Sequence, residues 1–330
     1  MKGKIDLASG SGGEATKKLV SELFLKYFGN RELQKLADSA LVNVEGKIAF
    51  TTDSFVVKPL LFPGGDIGKL AIFGTVNDLS VMGAKPLFIS CAFIIEEGFD
   101  SEKLEKVVKS MAEAARQAKV EIVCGDTKVV EKGAADEIFI NTSGIGKIIY
   151  SRLEPSRIKV GDAIIITGAI AEHGMAVMCA REKFFDKTPI KSDCAPVTDL
   201  ILPLLKGKIE LHASRDPTRG GLAAVLNELA ASAKVGMMIV EDAIPIKPEV
   251  KYACEMLGID PLYVACEGRA VIFCPESEAK KALSKIQKHP QGKDATIIGK
   301  VTKGNKVILK TAVADRILDA PSGLLLPRIC

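Results

Sequence analysis

Helical stripes and short apolar runs alternate along this chain. Leu19, Val20, Leu23, Phe24, Tyr27 and Phe28 recur at helical spacing and predict a helix over 14–28. Residues 48–53 predict a strand. A mostly apolar helix follows over 65–83, carrying Ile67, Leu70, Ala71, Leu79 and Met82. Residues 87–95 predict a second strand. An amphipathic helix over 101–119 runs through Leu104, Val107, Val108, Met111, Ala115 and Ala118, with Ser101 as its N-cap. Residues 120–124 and 138–149 complete this half as strands. The polar stretch 151–157 contains Pro155 and marks a domain boundary.

Beyond the boundary the pattern predicts strands at 163–167, 237–241, 270–274, 297–301 and 306–311. Helices are predicted at 174–181, 197–205, 221–233, 247–257 and 277–289. The tail 320–330 holds Pro321, Gly323 and Pro327, which fits neither a helix nor an ordinary strand. The expectation is an α/β (α+β) chain in three parts: 1–150, 151–319 and a mobile tail, 320–330. No short repeat or low-complexity segment interrupts it.

Composition narrows the function classes. At 330 residues two domains are expected, and 47% hydrophobic with 26% charged residues excludes disorder for most of the chain. Lys plus Arg is 45 against 41 acids, with no basic run, no Trp and 5% aromatics, which argues against a nucleic-acid surface. No signal-like start is present, and apolar stretches such as 163–167 and 200–205 are too short to span a bilayer. A soluble, cytoplasmic protein is expected. The 8 cysteines stand singly without a Cys-x-x-Cys, and the 3 histidines are isolated, so no structural zinc site is expected. Cys330 is set apart as the last residue.

Several acids adjoin strand-like runs: Asp53 and Asp126 at run ends, and Asp38 before Ala40-Leu41-Val42. Asp78 lies beside Asn77 inside the apolar helix, where a carboxylate needs a partner. Converging loop carboxylates would hold Mg²⁺ against nucleotide phosphates. Taken singly, the same acids are turn residues and one hydrogen-bonded core Asp. The stretch Ser9-Gly10-Ser11-Gly12-Gly13 precedes a helix and could cradle an anion, or could be a flexible loop. No Walker A motif exists. Residues 63–70 come near one but lack the first Gly and the final Ser/Thr. Glu267 lies between apolar runs, where burial would make it a useful base. It and Lys128 also read as ordinary surface charges. Cys330 on its proline-bearing tether reads as a carrier thiol, an accidental terminal Cys or half of an intermolecular disulfide.

Taken together, seven motifs resemble one family. They are Thr51-Thr52-Asp53-Ser54-Phe55-Val56-Val57, Phe62-Pro63-Gly64-Gly65-Asp66-Ile67-Gly68, Val76-Asn77-Asp78-Leu79, Met82-Gly83-Ala84-Lys85-Pro86, Gly125-Asp126-Thr127-Lys128-Val129-Val130, Arg215-Asp216-Pro217-Thr218-Arg219-Gly220-Gly221-Leu222 and Pro327-Arg328-Ile329-Cys330. The resemblance runs from about Ser9 to Cys330. It is to hydrogenase maturation proteins of the aminoimidazole ribonucleotide synthetase-like ATP-binding superfamily. It implies an N-terminal ATP-binding domain that pairs across a homodimer, with ATP near the interface, and a C-terminal α/β domain. By the same resemblance Asp38, Asp53, Asp78 and Asp126 would hold Mg²⁺–ATP. Asn77, Thr142, Ser143 and Gly144 would shape the site, and Gly10, Gly12 and Gly13 would cover phosphates. Relatives often carry paired acids where this chain has Asp38-Ser39.

The implied activity is ATP-dependent dehydration of an S-carbamoylated Cys330 to a thiocyanate, with Glu267 as base and Lys128 offsetting charge. The implied partners are the carbamoyltransferase HypF and the HypC–HypD iron scaffold, with no nucleic acid or membrane. Two alternatives stand beside it: a small-molecule kinase or synthetase of the superfamily, and an ATP-binding carrier without dehydratase activity. A selenophosphate synthetase would need a Cys and a Lys within Ser9–Gly13, which has neither.

Overall fold

The computed structural model describes residues 3–11, 13–182, 189–323 and 328–330. Gly12 and residues 324–327 of the tail, Pro327 among them, lie outside the described residues.

The 14–28 stripe forms α1 (Glu14–Leu19), a π-helical turn over Val20–Phe24 and α2 (Leu25–Phe28). Its apolar face buries Leu19, Leu23, Phe24 and Phe28, and Phe24 stacks on Phe93 with ring centroids 4.9 Å apart. The first sheet contains β1 (Ile48–Phe55). A small hairpin, β2 (Leu61–Phe62) and β3 (Gly65–Asp66), leads into α3 (Ile67–Val81). Then follow β4 (Ala84–Glu96), α4 (Ser101–Ala118), β5 (Glu121–Val130) and β6 (Ile138–Ile148). The strand order is β1-β6-β4-β5. Only the β4/β5 pair, linked through α4, is parallel. The N-cap of α4 is Asp100, one residue before the expected Ser101, and its carboxylate accepts the Lys103 N–H at 2.9 Å.

Burial alternates along β1, as the two-residue period of a strand requires. Thr51, Asp53 and Phe55 turn toward α3. Ile48, Phe50, Thr52 and Ser54 turn to the other face, which no element among the described residues covers. Phe50 is 67% exposed there, and Ile94 of β4 is 44% exposed. Helix α3 is buried nearly all round because it packs on this sheet, on α4 and on elements of the second half.

The second half forms a seven-stranded sheet. Its elements are β7 (Ala163–Ile166), α5 (Glu172–Glu182), α6 (Thr198–Lys206), β8 (Ala213–Arg215), α7 (Gly221–Ala233), β9 (Gly236–Val240) and α8 (Pro248–Leu257). They are followed by β10 (Val271–Cys274), α9 (Glu276–Gln287), β11 (Thr296–Thr302), β12 (Val307–Lys310) and β13 (Asp315–Ile317). The order is β13-β12-β9-β11-β7-β10-β8. Both faces are covered: Ile164 and Ile166 enter one apolar core, Ala163 and Ile165 the other. Among the described residues, no helix is long and apolar enough to cross a membrane.

Two strands run past their expected ends, so Asp53 and Asp126 sit inside β1 and β5 rather than closing them. Thr142, Ser143 and Gly144 lie in the middle of β6, within the strand expected over 138–149.

Candidate active site

A cavity of about 740 Å³ lies between the two halves of the chain. Asp53 and Asp78 line it from the first half, and Arg215, Asp216, Arg219 and Glu267 from the second. Cys330 closes it from the tail.

Asp53 reaches the cavity because it lies on the α3 side of β1, paired in register with Thr142 of β6. Asp78 comes from the last turns of α3, and its Oδ2 accepts the Thr51 hydroxyl at 2.8 Å. Burial raises both acids above the ordinary carboxylate range. For Asp53 the nearby Asp78 charge adds to it and brings the value to about 6, against the opposing pull of Arg219. Asp216 follows the short strand β8 and is pushed up to about 7 by burial and by Asp78.

Glu267 is the most buried acid of the group, at 3% exposure. Its backbone is clamped at every polar atom. Its N–H donates to Asp193 Oδ1 at 3.2 Å, and its carbonyl accepts the Asn77 amide at 3.1 Å. Gly268 N–H takes the other Asp193 oxygen at 3.2 Å. Asp193 itself is paired with Arg269, which also binds Glu172 at 2.6 Å. A side chain at position 268 would collide with the Asp193 carbonyl, so glycine is required for this approach. The Glu267 side chain is free by contrast, because its Oε1 is buried without a hydrogen-bond partner. Burial, then the charges of Asp216 and Asp193, push this carboxyl well above its ordinary value. A carboxyl placed in this way binds a proton avidly and accepts one readily when ionised.

The tail enters from the other side. The Arg328 guanidinium donates to Val56 O at 3.0 Å and pairs with Asp136 at 2.5 Å. Its carbonyl accepts Arg181 Nη2 at 2.8 Å. Ile329 is buried in the core of the first half, and the Ile329 carbonyl meets His173 Nε2 at 2.9 Å. These contacts leave the Cys330 thiol in the cavity, where burial and the Glu267 charge push it up to about 12.

Not all of the residues expected at a nucleotide site gather here. Asn77 is committed elsewhere: its amide donates to Ala195 O and Glu267 O, and its Oδ1 accepts Val197 N–H at 2.8 Å. It therefore ties α3 to the second half instead of facing the cavity. Thr142 is fully buried under α3, bonded to Thr75 at 2.6 Å. Gly144 is small because a Cβ would lie 2.6 Å from Thr75 Cγ2. Both serve the helix–sheet contact that carries Asp53 and Asp78.

Asp38 and Asp126 line a second cavity of about 240 Å³, between the N-terminal segment and the β4/β5 edge. Lys128 bonds Asp126 at 2.9 Å, both side chains lying more than half exposed on β5. That contact is the main reason why the Asp126 carboxyl lies below its ordinary value. Gly10 packs against Val129 of the same strand, and Gly13 is the exposed N-cap position of α1. The candidate residues thus divide into two sets at opposite edges of the first sheet.

The charged cavity residues given no role in the sequence reading are Asp216, Arg215 and Arg219. The signal was present: they stand in the 215–222 motif, between β8 and the Gly220-Gly221 start of α7, where Gly220 has a φ of 76°.

The donor set of the main cavity suits a hard divalent cation. Asp53 and Asp78 supply carboxylate oxygens whose mutual repulsion a cation would relieve. Among the described residues no three His, Cys, Asp or Glu side chains form a complete cage.

Comparison with known proteins identifies the family and the fold. Residues 36–148 match the family model of the AIR synthase related protein N-terminal domain, and 159–311 match that of the C-terminal domain. Carbamoyl dehydratase HypE of Rhodobacter capsulatus is 44% identical over 334 residues, covering 99% of this chain and 98% of that one. The crystal structure of hydrogenase maturation protein HypE in complex with ATP superposes with a TM-score of 0.96 at 43% identity. It covers 98% of this chain and 99% of that one. A crystal structure of a HypE–HypF complex matches with a TM-score of 0.82 at 51% identity, over 92% of this chain and 99% of that one.

Proposed function

The chain belongs to the HypE family of AIR synthase related proteins, and on that premise we propose that it is an ATP-dependent carbamoyl dehydratase acting on its own Cys330. Its product supplies the cyanide ligand of iron in NiFe hydrogenase maturation. The observation that carries the reading is the shared cavity of Cys330 and the unpartnered Glu267 carboxyl. A small-molecule kinase has no use for a docked terminal thiol.

The carbamoyltransferase HypF places a carboxamide on the Cys330 sulfur. The dehydration balances as S-carboxamide plus ATP giving thiocyanate, ADP and phosphate. The carboxamide oxygen takes the γ-phosphoryl group and leaves with it as phosphate, while the two N–H protons are removed. Glu267 in its ionised form accepts an N–H proton. The buried position that raises its proton affinity also excludes the water that would return the carbamate. Arg215, Arg219 and Lys128 offset charge on the phosphoryl oxygens. Asp53 and Asp78, with Asp38 and Asp126, would hold Mg²⁺, which when bound neutralises phosphate charge. Asn77, Thr142 and Gly144 would shape the site from behind, and Gly10 and Gly13 would lie toward the phosphates; Gly12, expected with them, is outside the described residues.

The open face of the first sheet supports pairing of two copies, which would bring the β5 edge of one chain toward the β1 edge of the other. On this reading residues 1–150 form the nucleotide-binding and pairing unit, 151–319 the second unit, and 320–330 the mobile substrate arm. The thiocyanate is handed to the HypC–HypD iron scaffold. The setting is the cytoplasm, in keeping with 8 free cysteines.

The test is an intact mass measurement after incubation with HypF, carbamoyl phosphate and Mg²⁺–ATP. The expected result is a carbamoyl adduct on Cys330 that loses one water only when ATP is present. An adduct that never loses water favours an ATP-binding carrier. No adduct, with HypF shown active, favours a small-molecule kinase.

A further inference from the structure

The segment that clamps Glu267 also touches the tail. Asp193 holds the Glu267 and Gly268 N–H groups. Its neighbour Ser192 bonds His173 Nδ1 at 2.8 Å, and His173 Nε2 meets the Ile329 carbonyl at 2.9 Å.

The chemistry of these partners fixes the direction of every bond. A carbonyl only accepts, so Nε2 carries the proton and donates to Ile329 O. Nδ1 of the neutral ring is then an acceptor, and the Ser192 hydroxyl donates to it. The same hydroxyl oxygen accepts the Cys194 N–H at 3.0 Å, which leaves its proton for His173. Position 192 is itself anchored, with its N–H on Pro63 O at 2.8 Å. The Phe62 ring stands edge-on to the imidazole, with centroids 5.3 Å apart. The ring is fully buried. A buried histidine satisfied only by its own core would need no tail. This one spends half of its hydrogen bonding on the carbonyl adjacent to Cys330.

We propose that His173, oriented by Ser192, is a positioning residue that docks the tail through the Ile329 carbonyl and registers Cys330 against Glu267. One short segment thereby references both reactants: Asp193 fixes the base and Ser192–His173 fixes the cysteine that carries the substrate. The consequence for dehydration rests on the dehydratase reading. The docking itself does not.

The experiment uses the full chain and the variants His173→Ala, His173→Gln and Ser192→Ala. Iodoacetamide alkylation of Cys330 is timed by peptide mass, with Cys124 on β5 as internal reference. Loss of one hydrogen bond predicts alkylation of Cys330 about five- to tenfold faster in His173→Ala. The Cys124 rate stays unchanged. His173→Gln, whose amide N–H can replace Nε2–H, returns toward the parent rate. Single-turnover dehydration of pre-carbamoylated protein slows by a similar factor, while loading by the carbamoyltransferase does not slow. Should His173→Ala not fold, Ser192→Ala, which removes only a hydroxyl, carries the same test.

An unchanged Cys330 rate overturns the proposal. Equal acceleration at Cys124 also overturns it, because that is general loosening. Faster alkylation with undiminished dehydration overturns the positioning role. A parent protein that never dehydrates its adduct refutes the dehydratase reading, and the alkylation rates still decide the docking.

Discussion

The two cavities of this chain carry similar acids in opposite electrostatic states. Around Cys330 the carboxyls of Asp53, Asp216 and Glu267 are all raised, because burial removes their hydration and they repel one another. At the β5 edge Asp126 is lowered, because Lys128 lies against it and water reaches both. The difference follows from packing. The α3 side of the first sheet is packed against the second half of the chain, whereas among the described residues no element covers the other face. A carboxyl left unneutralised in a sealed cavity is suited to proton transfer. One already paired at an open edge is suited to a charged ligand or another surface.

The largest expected effect tests the sealed cavity. Glu267→Gln preserves shape and removes the base, and dehydration of pre-carbamoylated protein should fall about 10²- to 10⁴-fold. ATP affinity should hold within a few-fold. Dehydration at the parent rate, followed by intact mass, would remove Glu267 from the mechanism.

Asn77 decides how the cavity is held together. Asn77→Ala leaves the Ala195 and Glu267 carbonyls and the Val197 N–H without their buried partner. A loss of about 3 kcal/mol is expected in urea unfolding. A nucleotide-contacting Asn would instead leave stability alone and weaken ATP.

That ambiguity shows where the sequence stops being readable. Long stripes translated directly: α4 occupies Ser101–Ala118 against an expected 101–119, because one face buries Leu104, Val107, Val108, Met111, Ala115 and Ala118. Strands β2, β3, β8 and β13 span two or three residues, too few to show alternation, and exist because neighbours pair with them. Asp53, Asp78, Glu267 and Cys330 were readable as candidates one by one. Their meeting was not, since it depends on α3 lying under the 265–268 segment and on the tail turning back. Asn77 and Thr142 look the same in sequence whether they face a ligand or fasten a helix. Only the partner atoms distinguish the two.

A smaller effect probes the charge of the sealed set. The Asp53 carboxyl is raised from 3.8 to about 6 by folding, so its folded form binds a proton more tightly. The stability that protonation contributes is present below the unfolded value and is lost as pH rises through about 6. Asp53→Asn removes that loss. Relative to the parent, the variant should gain about 1 kcal/mol between about pH 4 and about pH 7, after allowance for solvent screening. Added Mg²⁺–ATP should stabilise the parent more than the variant. A parent and variant with parallel pH curves would show that Asp53 is solvated.

The smallest stability effect belongs to the open edge, and it carries the sharpest test of the comparison. Lys128→Ala breaks an exposed pair, so unfolding should shift by less than about 0.5 kcal/mol. Activity should nevertheless fall on the proposed pairing, in which the β5 set completes a site across two copies. If Lys128 of one chain serves the Glu267 of the other, two dead variants complement each other. Equal amounts of Lys128→Ala and Glu267→Gln chains, unfolded together and refolded, give mixed pairs in half of all dimers. Each mixed pair then holds one intact site, so about a quarter of parent activity returns. If both residues act within one chain, no mixed pair has an intact site and nothing returns. Recovery would make the open edge the missing half of the sealed cavity. Its absence, with dimers demonstrated, would assign Lys128 and Glu267 to the same chain's site.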